Sequence, residues 1–365
     1  MNWPRRPAGP GRFVSRGGTI FGYTSVVANP FTHWIEAKGP YAPWLFLALF
    51  IGASFLMIWR LEALSQRGFQ GTVLGTLIMP YCSGLGNLIF AFILGHNGGA
   101  GADVMINSLV NNITNMTLIL GLPAIFWRMS ILPARVKPAH PREKGRGEPE
   151  EKANELNRLS LLMTLMAVLF FSGAVWAMGR KGQLDFNDGL VLVGLFLFWQ
   201  CFHVVEVLKH NVREDQSLGW TLPLDLILLG VGAYGIYAST DWLVAWISNI
   251  QTGFVSAPNL GWLSGWVMVL PNGVLAIYYA WRRQPETVYA SQVGDAHVSI
   301  PLCLGIFALY RPLVMPPIFH TAMLVLLGAT VIHLFFVVVL GRLPRVAGIG
   351  LVAAYGYFIY KGLIK

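Results

Sequence analysis

Charge is scarce in this chain. Only 12% of the 365 residues are Asp, Glu, Lys or Arg, about half the share an average soluble protein carries, and the mean hydropathy is +0.57. That balance excludes disorder, nucleic-acid binding as the main role, and an ordinary cytosolic enzyme. Cysteine is scarce as well. Cys82, Cys201 and Cys303 lie far apart in apolar stretches with no CxxC spacing, which excludes a zinc or dithiol motif and leaves them as small buried packing residues. The eight histidines form no HxxH or HxxxH pair, against a di-iron or multihaem membrane protein. No nucleophile and base stand at a usable spacing, so neither an enzyme nor a cofactor is expected. No apolar segment closely follows the basic residues Arg5, Arg6, Arg12 and Arg16, so a cleaved signal peptide is not expected.

What the chain does have is apolar length. A hydrocarbon layer roughly 30 Å thick takes about 20 apolar residues per helix. Ten stretches qualify: 42–59, 71–95, 103–127, 159–179, 187–206, 222–247, 261–281, 287–310, 319–340 and 346–363. The expected fold is an all-α polytopic membrane protein of about ten transmembrane helices. One long polar segment, 128–158, interrupts them, and its Pro-rich charged run from Lys137 to Lys152 reads as a solvated, partly disordered loop. Alternate connections hold sixteen basic residues on one side and three on the other. The positive-inside rule puts the basic side in the cytoplasm and both tails outside, although the N-terminal tail itself carries five basic residues. The expected divisions are a basic tail (1–41), a first five-helix unit (42–207), a linker (208–220) and a second five-helix unit (221–365).

An odd number of helices per half requires the halves to be inverted in the membrane, as in many secondary transporters. A weak internal repeat agrees. Tyr81-Cys-Ser-Gly-Leu-Gly-Asn87 precedes Ile106-Asn-Ser-Leu-Val-Asn-Asn-Ile-Thr-Asn115, and Val267-Met-Val-Leu-Pro-Asn272 precedes Ser291-Gln-Val-Gly-Asp-Ala-His-Val-Ser299. Each second segment runs on to a Leu-Gly pair, at 120–121 and 304–305.

These residues resemble the calcium/cation antiporter superfamily, which includes the sodium/calcium exchangers. The resemblance extends over the ten spans and to an Asp188-Gly189 pair opening the fifth. It aligns Cys82–Asn87 with Val267–Asn272, and Val110–Asn115 with Asp295–Ile300. It implies two inverted five-helix repeats around a midplane cation site, with one glutamate per repeat supplying the central carboxylates. Asn87 and Asn272 stand at those two positions here. An amide keeps a carbonyl oxygen but loses the charge, which argues against tight Ca²⁺ binding.

Asn107, Asn111 and Asn115 recur every fourth residue and form one polar stripe on a helix, with Asn112 beside it. Such a stripe faces protein or a water-filled cavity: it lines an ion path, or it is interhelical glue. The second half offers Ser291, Asp295 and Ser299 in the same spacing, with Gln292 and His297 adjacent. Asp295 and His297 do not share a helix face. Each is a candidate for proton coupling, because an intramembrane ionisable group is functional by default; the other reading of Asp295 is a carboxylate near the cytoplasmic entrance or paired structurally.

Asp103 reads as a helix-start carboxylate, His203 and Glu206 as an interfacial pair, and the Gly-rich run 95–102 as a turn. The expected ion-binding set is Asn87, Asn272, Asn107, Asn111, Asn112, Asn115, Gln292, Asp295, His297 and Ser83, with no metal type assigned. The expected function is secondary-active cation antiport in a bacterial inner membrane, coupled to a monovalent cation or protons. The partners are then the lipid bilayer, Na⁺, H⁺ or Ca²⁺, and a protein docked on the N-terminal tail, with no nucleic acid. The alternative is a transport-inactive scaffold or subunit. The two divide on whether Asp295 or His297 faces Asn87 and Asn272.

Overall fold

The computed structural model describes residues 30–66, 81–82, 84–127, 129–130, 144–211 and 222–364, with backbone alone at 65–66, 144–160, 203, 206–211, 286 and 290. Residues 1–29 of the tail expected at 1–41, Ser83, and the side chains of His203 and Glu206 lie outside that description. A short helix α1 (Pro30–Glu36) leads into α2 (Ala42–Gln66), α3 (Leu85–Asn97), α4 (Gly101–Ile113) and α5 (Leu120–Phe126). Then come α6 (Lys144–Gly179), α7 (Phe186–Asn211), α8 (Leu222–Ser248), α9 (Leu260–Trp281), α10 (Pro285–Val298), α11 (Leu304–Tyr310), α12 (Phe319–Leu340) and α13 (Arg345–Ile359).

Among the described residues, eight helical stretches are long and apolar enough to cross a membrane. Two shorter apolar helices, Leu85–Asn97 and Phe186–Phe202, occupy the second and fifth expected positions. The chain is an all-α polytopic membrane protein in two repeats. One expectation fails: residues 144–158, placed in a loop, are the start of α6. Glu, Lys, Ala and Leu dominate 148–156, and their helix propensity extends the apolar span beyond its greasy part.

Two central rods are continuous through a π turn. α4 and α5 join across Thr114–Ile119, and α10 and α11 join across Ser299–Cys303. Within the second turn Pro301 has no N–H to give to the ladder. These two rods are the most enclosed of the spans. The Gly-rich run is the turn expected of it: Gly98, at φ +80°, ends α3, and Gly99 N–H caps Leu94 O at 2.8 Å.

Among the described residues, four two-residue strands reveal the inversion. β1 (Met129–Ser130), after α5, pairs antiparallel with β4 (Arg342–Leu343), between α12 and α13. β2 (Gln183–Leu184), between α6 and α7, pairs with β3 (Leu313–Val314), after α11. Each repeat therefore gives one strand to each pair, and the pairs fall on opposite sides, as the expected loop parity requires. The packing repeats the same swap: Gly121 meets the Gly348 backbone, and Gly305 meets that of Gly189.

Helices α2 and α8 pair along their length. At one end a part-buried ion pair joins Arg60 to Asp225 at 3.2 Å. At the other Phe46 stacks on Trp242 at 4.3 Å, and the Trp242 indole N–H donates to Glu36 at 2.8 Å. That bond holds α1 on the side away from the basic loops. Of the cysteines, Cys303 is buried as expected, but Cys82 is only partly so and Cys201 is exposed. Cys201 stands on the outward face of α7 beside exposed Phe198 and Phe202. An apolar stretch in a membrane protein need not point inward.

Candidate functional site

The π-turn rods put the polar stripes at the centre of the molecule. Asp295 of α10 is fully buried. Its Oδ2 accepts from Asn111 Nδ2 at 2.8 Å, Asn115 Nδ2 at 2.9 Å and, at the 3.5 Å limit, Asn272 Nδ2. A carboxylate only accepts, so these amides must turn their NH₂ groups toward it and their carbonyl oxygens elsewhere. The consequence is a set of buried oxygens. Asn87 Oδ1, Asn111 Oδ1, Asn115 Oδ1, Gln292 Oε1 and Asp295 Oδ1 have no hydrogen-bond partner among the described residues. Buried polar atoms are normally satisfied, and every one of these is an acceptor.

Backbone placement makes this cluster. Gly84, just before α3, lies so close to Asp295 that a Cβ there would stand 3.3 Å from Oδ1. Gln292, one turn before Asp295, donates to the Asn272 carbonyl at 3.3 Å and to Ser291 Oγ at 3.0 Å. Its own carbonyl oxygen is left over. Asn87 and Asn272 line one small cavity of about 30 Å³ with Ser54, Met57, Cys82, Gly86 and Met268, room for about one water-sized particle. Asp295 is not among the residues lining that cavity and meets the pair through Asn272 alone, at 3.5 Å.

Other members of the expected set hydrogen-bond away from Asp295. Asn107 donates to Ser264 Oγ on α9 at 3.0 Å. Asn112 donates to the Ser108 carbonyl at 2.6 Å and accepts from Ser299 Oγ at 3.0 Å. The bonds of Asn107 to Ser264 and of Asn112 to Ser299 are interhelical, and that of Asn112 to Ser108 is local. His297 is buried two residues beyond Asp295, about 200° around the helix, so it stands off the Asp295 face. Ser83 lies outside the described residues. Asp103 accepts from the Gly261 N–H and serves the start of α4.

The geometry also corrects the repeat register. Leu120-Gly121 and Leu304-Gly305 open α5 and α11, and β1 and β3 follow at the same distance. Asn111 therefore corresponds to Asp295, and Asn115 to Ser299; matching Val110–Asn115 with Asp295–Ile300 slips by one residue. The sequence reading missed two groups outright. His333 and Tyr289 are fully buried, and His333 reaches the Met116 carbonyl beside Asn115. A lone histidine in an apolar span was the available signal.

A family model described as sodium/calcium exchanger protein matches residues 42–205 and 224–361, covering both repeats. The chain belongs to the sodium/calcium exchanger family. It is thereby a membrane cation antiporter by family and not an enzyme. Solved structures of the sodium-calcium exchanger NCX_Mj share the family fold. One, soaked in sodium with zero calcium, superposes with a TM-score of 0.61 at 19% identity, covering 90% of this chain and 99% of that one. Another, soaked with sodium and strontium, gives 0.59 at 19% identity with the same coverage. No curated protein matches the chain. Among the described residues, the centre of this family fold holds one carboxylate, Asp295, among amides.

Proposed function

We propose that this exchanger carries a monovalent cation, one at a time, at a site formed by Asp295, Asn87, Asn111, Asn115, Asn272 and Gln292, and that a proton competes for the same carboxylate. The observation that supports it is the composition of the cluster: five unpartnered buried oxygens, of which only Asp295 brings a charge. A divalent ion leaves most of its hydration shell at a cost that one carboxylate offsets only in part, and protein calcium sites use six to eight oxygens with several charges. A monovalent ion is neutralised by one. Amide carbonyls complete its coordination without adding charge.

Coupling follows from the same count. An unloaded site holds a bare carboxylate in a low-dielectric centre, which is costly to carry across. A bound cation or a proton removes that charge, so the loaded forms are the ones that cross between the two faces. One-for-one, electroneutral exchange results. Alternating access would come from the two repeats moving around the fixed site, the usual plan for inverted repeats.

The test is flux in proteoliposomes of the full-length protein, with Na⁺, K⁺, Ca²⁺ and pH gradients imposed singly. The expected result is monovalent cation flux that drives proton counterflow, is insensitive to membrane voltage, and is lost in Asp295→Asn. Calcium uptake that survives Asp295→Asn would overturn the reading. No flux under any gradient from folded protein would favour the transport-inactive scaffold.

A further inference from the structure

Behind the amide cluster, three rods meet at one imidazole. His333 on α12 is fully buried, with Nε2 2.7 Å from the Met116 carbonyl and Nδ1 3.2 Å from the Tyr289 hydroxyl. Met116 lies in the first π turn, one residue after Asn115, and Tyr289 lies on α10, within two turns of Asp295. A backbone carbonyl has no proton to give, so Nε2 must carry the hydrogen of that bond. In the neutral ring Nδ1 is then the acceptor and the Tyr289 hydroxyl donates to it. The rings also meet edge to face at 85°, with centroids 5.5 Å apart, a favoured aromatic geometry.

The bond to Met116 falls where the helix is least able to hold itself. In the π turn Leu120 N–H reaches the Asn115 carbonyl, five residues back, and such bulges interrupt the regular ladder at functional sites. Asn115 must hold its amide 2.9 Å from Asp295 from within that interrupted turn. The imidazole gives the turn an anchor from outside its own helix, and Tyr289 ties the anchor to the rod that carries Asp295.

We propose that His333 is a positioning residue: its Nε2–H bond to Met116 fixes the π turn so that Asn115 reaches Asp295, and Tyr289 fixes the imidazole tautomer. The role rests on the cation site proposed above. It predicts that His333 acts through Asn115.

Two measurements on the full-length protein test it. In histidine-labelled ¹⁵N NMR of protein in nanodiscs, His333, assigned by its loss in His333→Gln, is expected as the neutral ring protonated on Nε2, with a shift that changes in Tyr289→Phe. A ring protonated on Nδ1, or a response no different from that of the other histidines, overturns the proposal independently of any transport. In proteoliposomes, His333→Ala is expected to raise the half-saturating cation concentration at least ~10-fold with a smaller change in maximal rate. His333→Gln, which keeps a donor near Nε2, is expected to return to within ~3-fold of the parent. In an Asn115→Ala background His333→Ala should add less than ~2-fold, because residues acting as a unit are non-additive. Effects that multiply, or a glutamine variant no better than alanine, overturn the positioning role while leaving the cation site standing. Flat flux from the unsubstituted protein overturns the site itself, and the role with it.

Discussion

The rod α4–α5 and the rod α10–α11 are built alike and charged differently. Both run helix, π turn, helix and strand, and both pack a Leu-Gly pair against a glycine of the opposite repeat. At corresponding positions the first rod carries Asn111 where the second carries Asp295, and Asn115 where the second carries Ser299. The backbone obeys the inversion; the charge does not. Between the two rods Asp295 of the second repeat accepts from Asn111 and Asn115 of the first and from Asn272 of its own. On the function proposed above, backbone symmetry would supply the alternating scaffold and side-chain asymmetry the choice of ion.

Moving the charge is the strongest way to break this comparison. Asp295→Asn removes the only carboxylate of the cluster among the described residues and should reduce cation flux at least ~100-fold, in line with the loss of a charge-assisted contact and the field that holds the ion. The exchanged pair, Asn111→Asp with Asp295→Asn, places the acid at the corresponding position of the other rod. If the rods are equivalent in backbone, the pair should recover flux to within ~10-fold of the parent, by restoring a coupled interaction that either change alone destroys. Proteoliposome flux checks both. No recovery would mean that the amides of the first rod and the acid of the second are matched to their own sides.

Asn87 and Asn272 sharpen the comparison at the next level. They line the same cavity from α3 and α9, but only Asn272 reaches Asp295, at 3.5 Å. Asn87→Ala should raise the half-saturating cation concentration by about 10-fold through the loss of an oxygen ligand, the equivalent of ~1.4 kcal/mol. Asn272→Ala should do so by a similar or larger factor, because its removal also loosens Asp295. Cation titration of transport rate measures the order, and an effect confined to Asn87 would remove Asn272 from the coordinating set. Both titrations should shift to higher cation concentration as the pH falls, since the proton competes for the same carboxylate.

The spans, the repeat and the acid were legible because each has a periodic or compositional signal. Apolar runs marked the rods within a few residues, and the four-residue spacing of Asn107, Asn111 and Asn115 marked the stripe. What the stripe could not say is which face each member meets along a 26-residue rod. Asn107 meets Ser264, Asn111 and Asn115 meet Asp295, and Asn112 meets Ser299. The partners are 157 to 187 residues away, and no local pattern encodes such pairings. The helical start of α6 was hidden by its proline and charges, which resemble a loop in composition but keep enough Glu, Lys and Ala to propagate a helix. Cys201 failed for another reason. In a bilayer the apolar face of a helix is as often the outer one.

Packing at the glycine contacts tests whether the backbone symmetry is energetic as well as geometric. A Cβ at Gly348 would stand 2.8 Å from the Gly121 carbonyl oxygen, and one at Gly189 2.9 Å from that of Gly305. Neither obstacle is a flexible side-chain end. Gly348→Ala and Gly189→Ala should therefore each destabilise by about 1–3 kcal/mol, the range for overpacking a filled interior, and by similar amounts. Thermal unfolding in detergent followed by tryptophan fluorescence reads this out. A large effect at one glycine only would show that one repeat carries the stability and the other follows.

The smallest effect is expected at the two strand pairs, whose ends differ in charge. Beside β2 and β3, Lys181 contacts Asp185 and Asp188 at 2.6 Å each, and Asp188 Oδ2 accepts from the Asp185 N–H at the start of α7. The hydrogen bond from Lys181 holds the Asp185 carboxyl below its ordinary value, and the same bond raises the Lys181 ammonium. Asp185 therefore contributes stability above the usual carboxylate range and loses it as pH falls through its lowered value. Lys181 contributes below its ordinary value and loses it only as pH rises through its raised one. The two signs leave a flat plateau across neutral pH. The group is solvent-exposed and screened by salt, so Lys181→Ala should leave the unfolding temperature within experimental scatter at neutral pH and high salt, with a small decrease at low salt. The β1–β4 end, where Arg342 and Arg345 flank the turn, has no such acid pair in its strands and should show no matching salt dependence on Arg342→Ala. A salt-dependent shift at the β1–β4 end alone would reverse the assignment of which end the charges tie down.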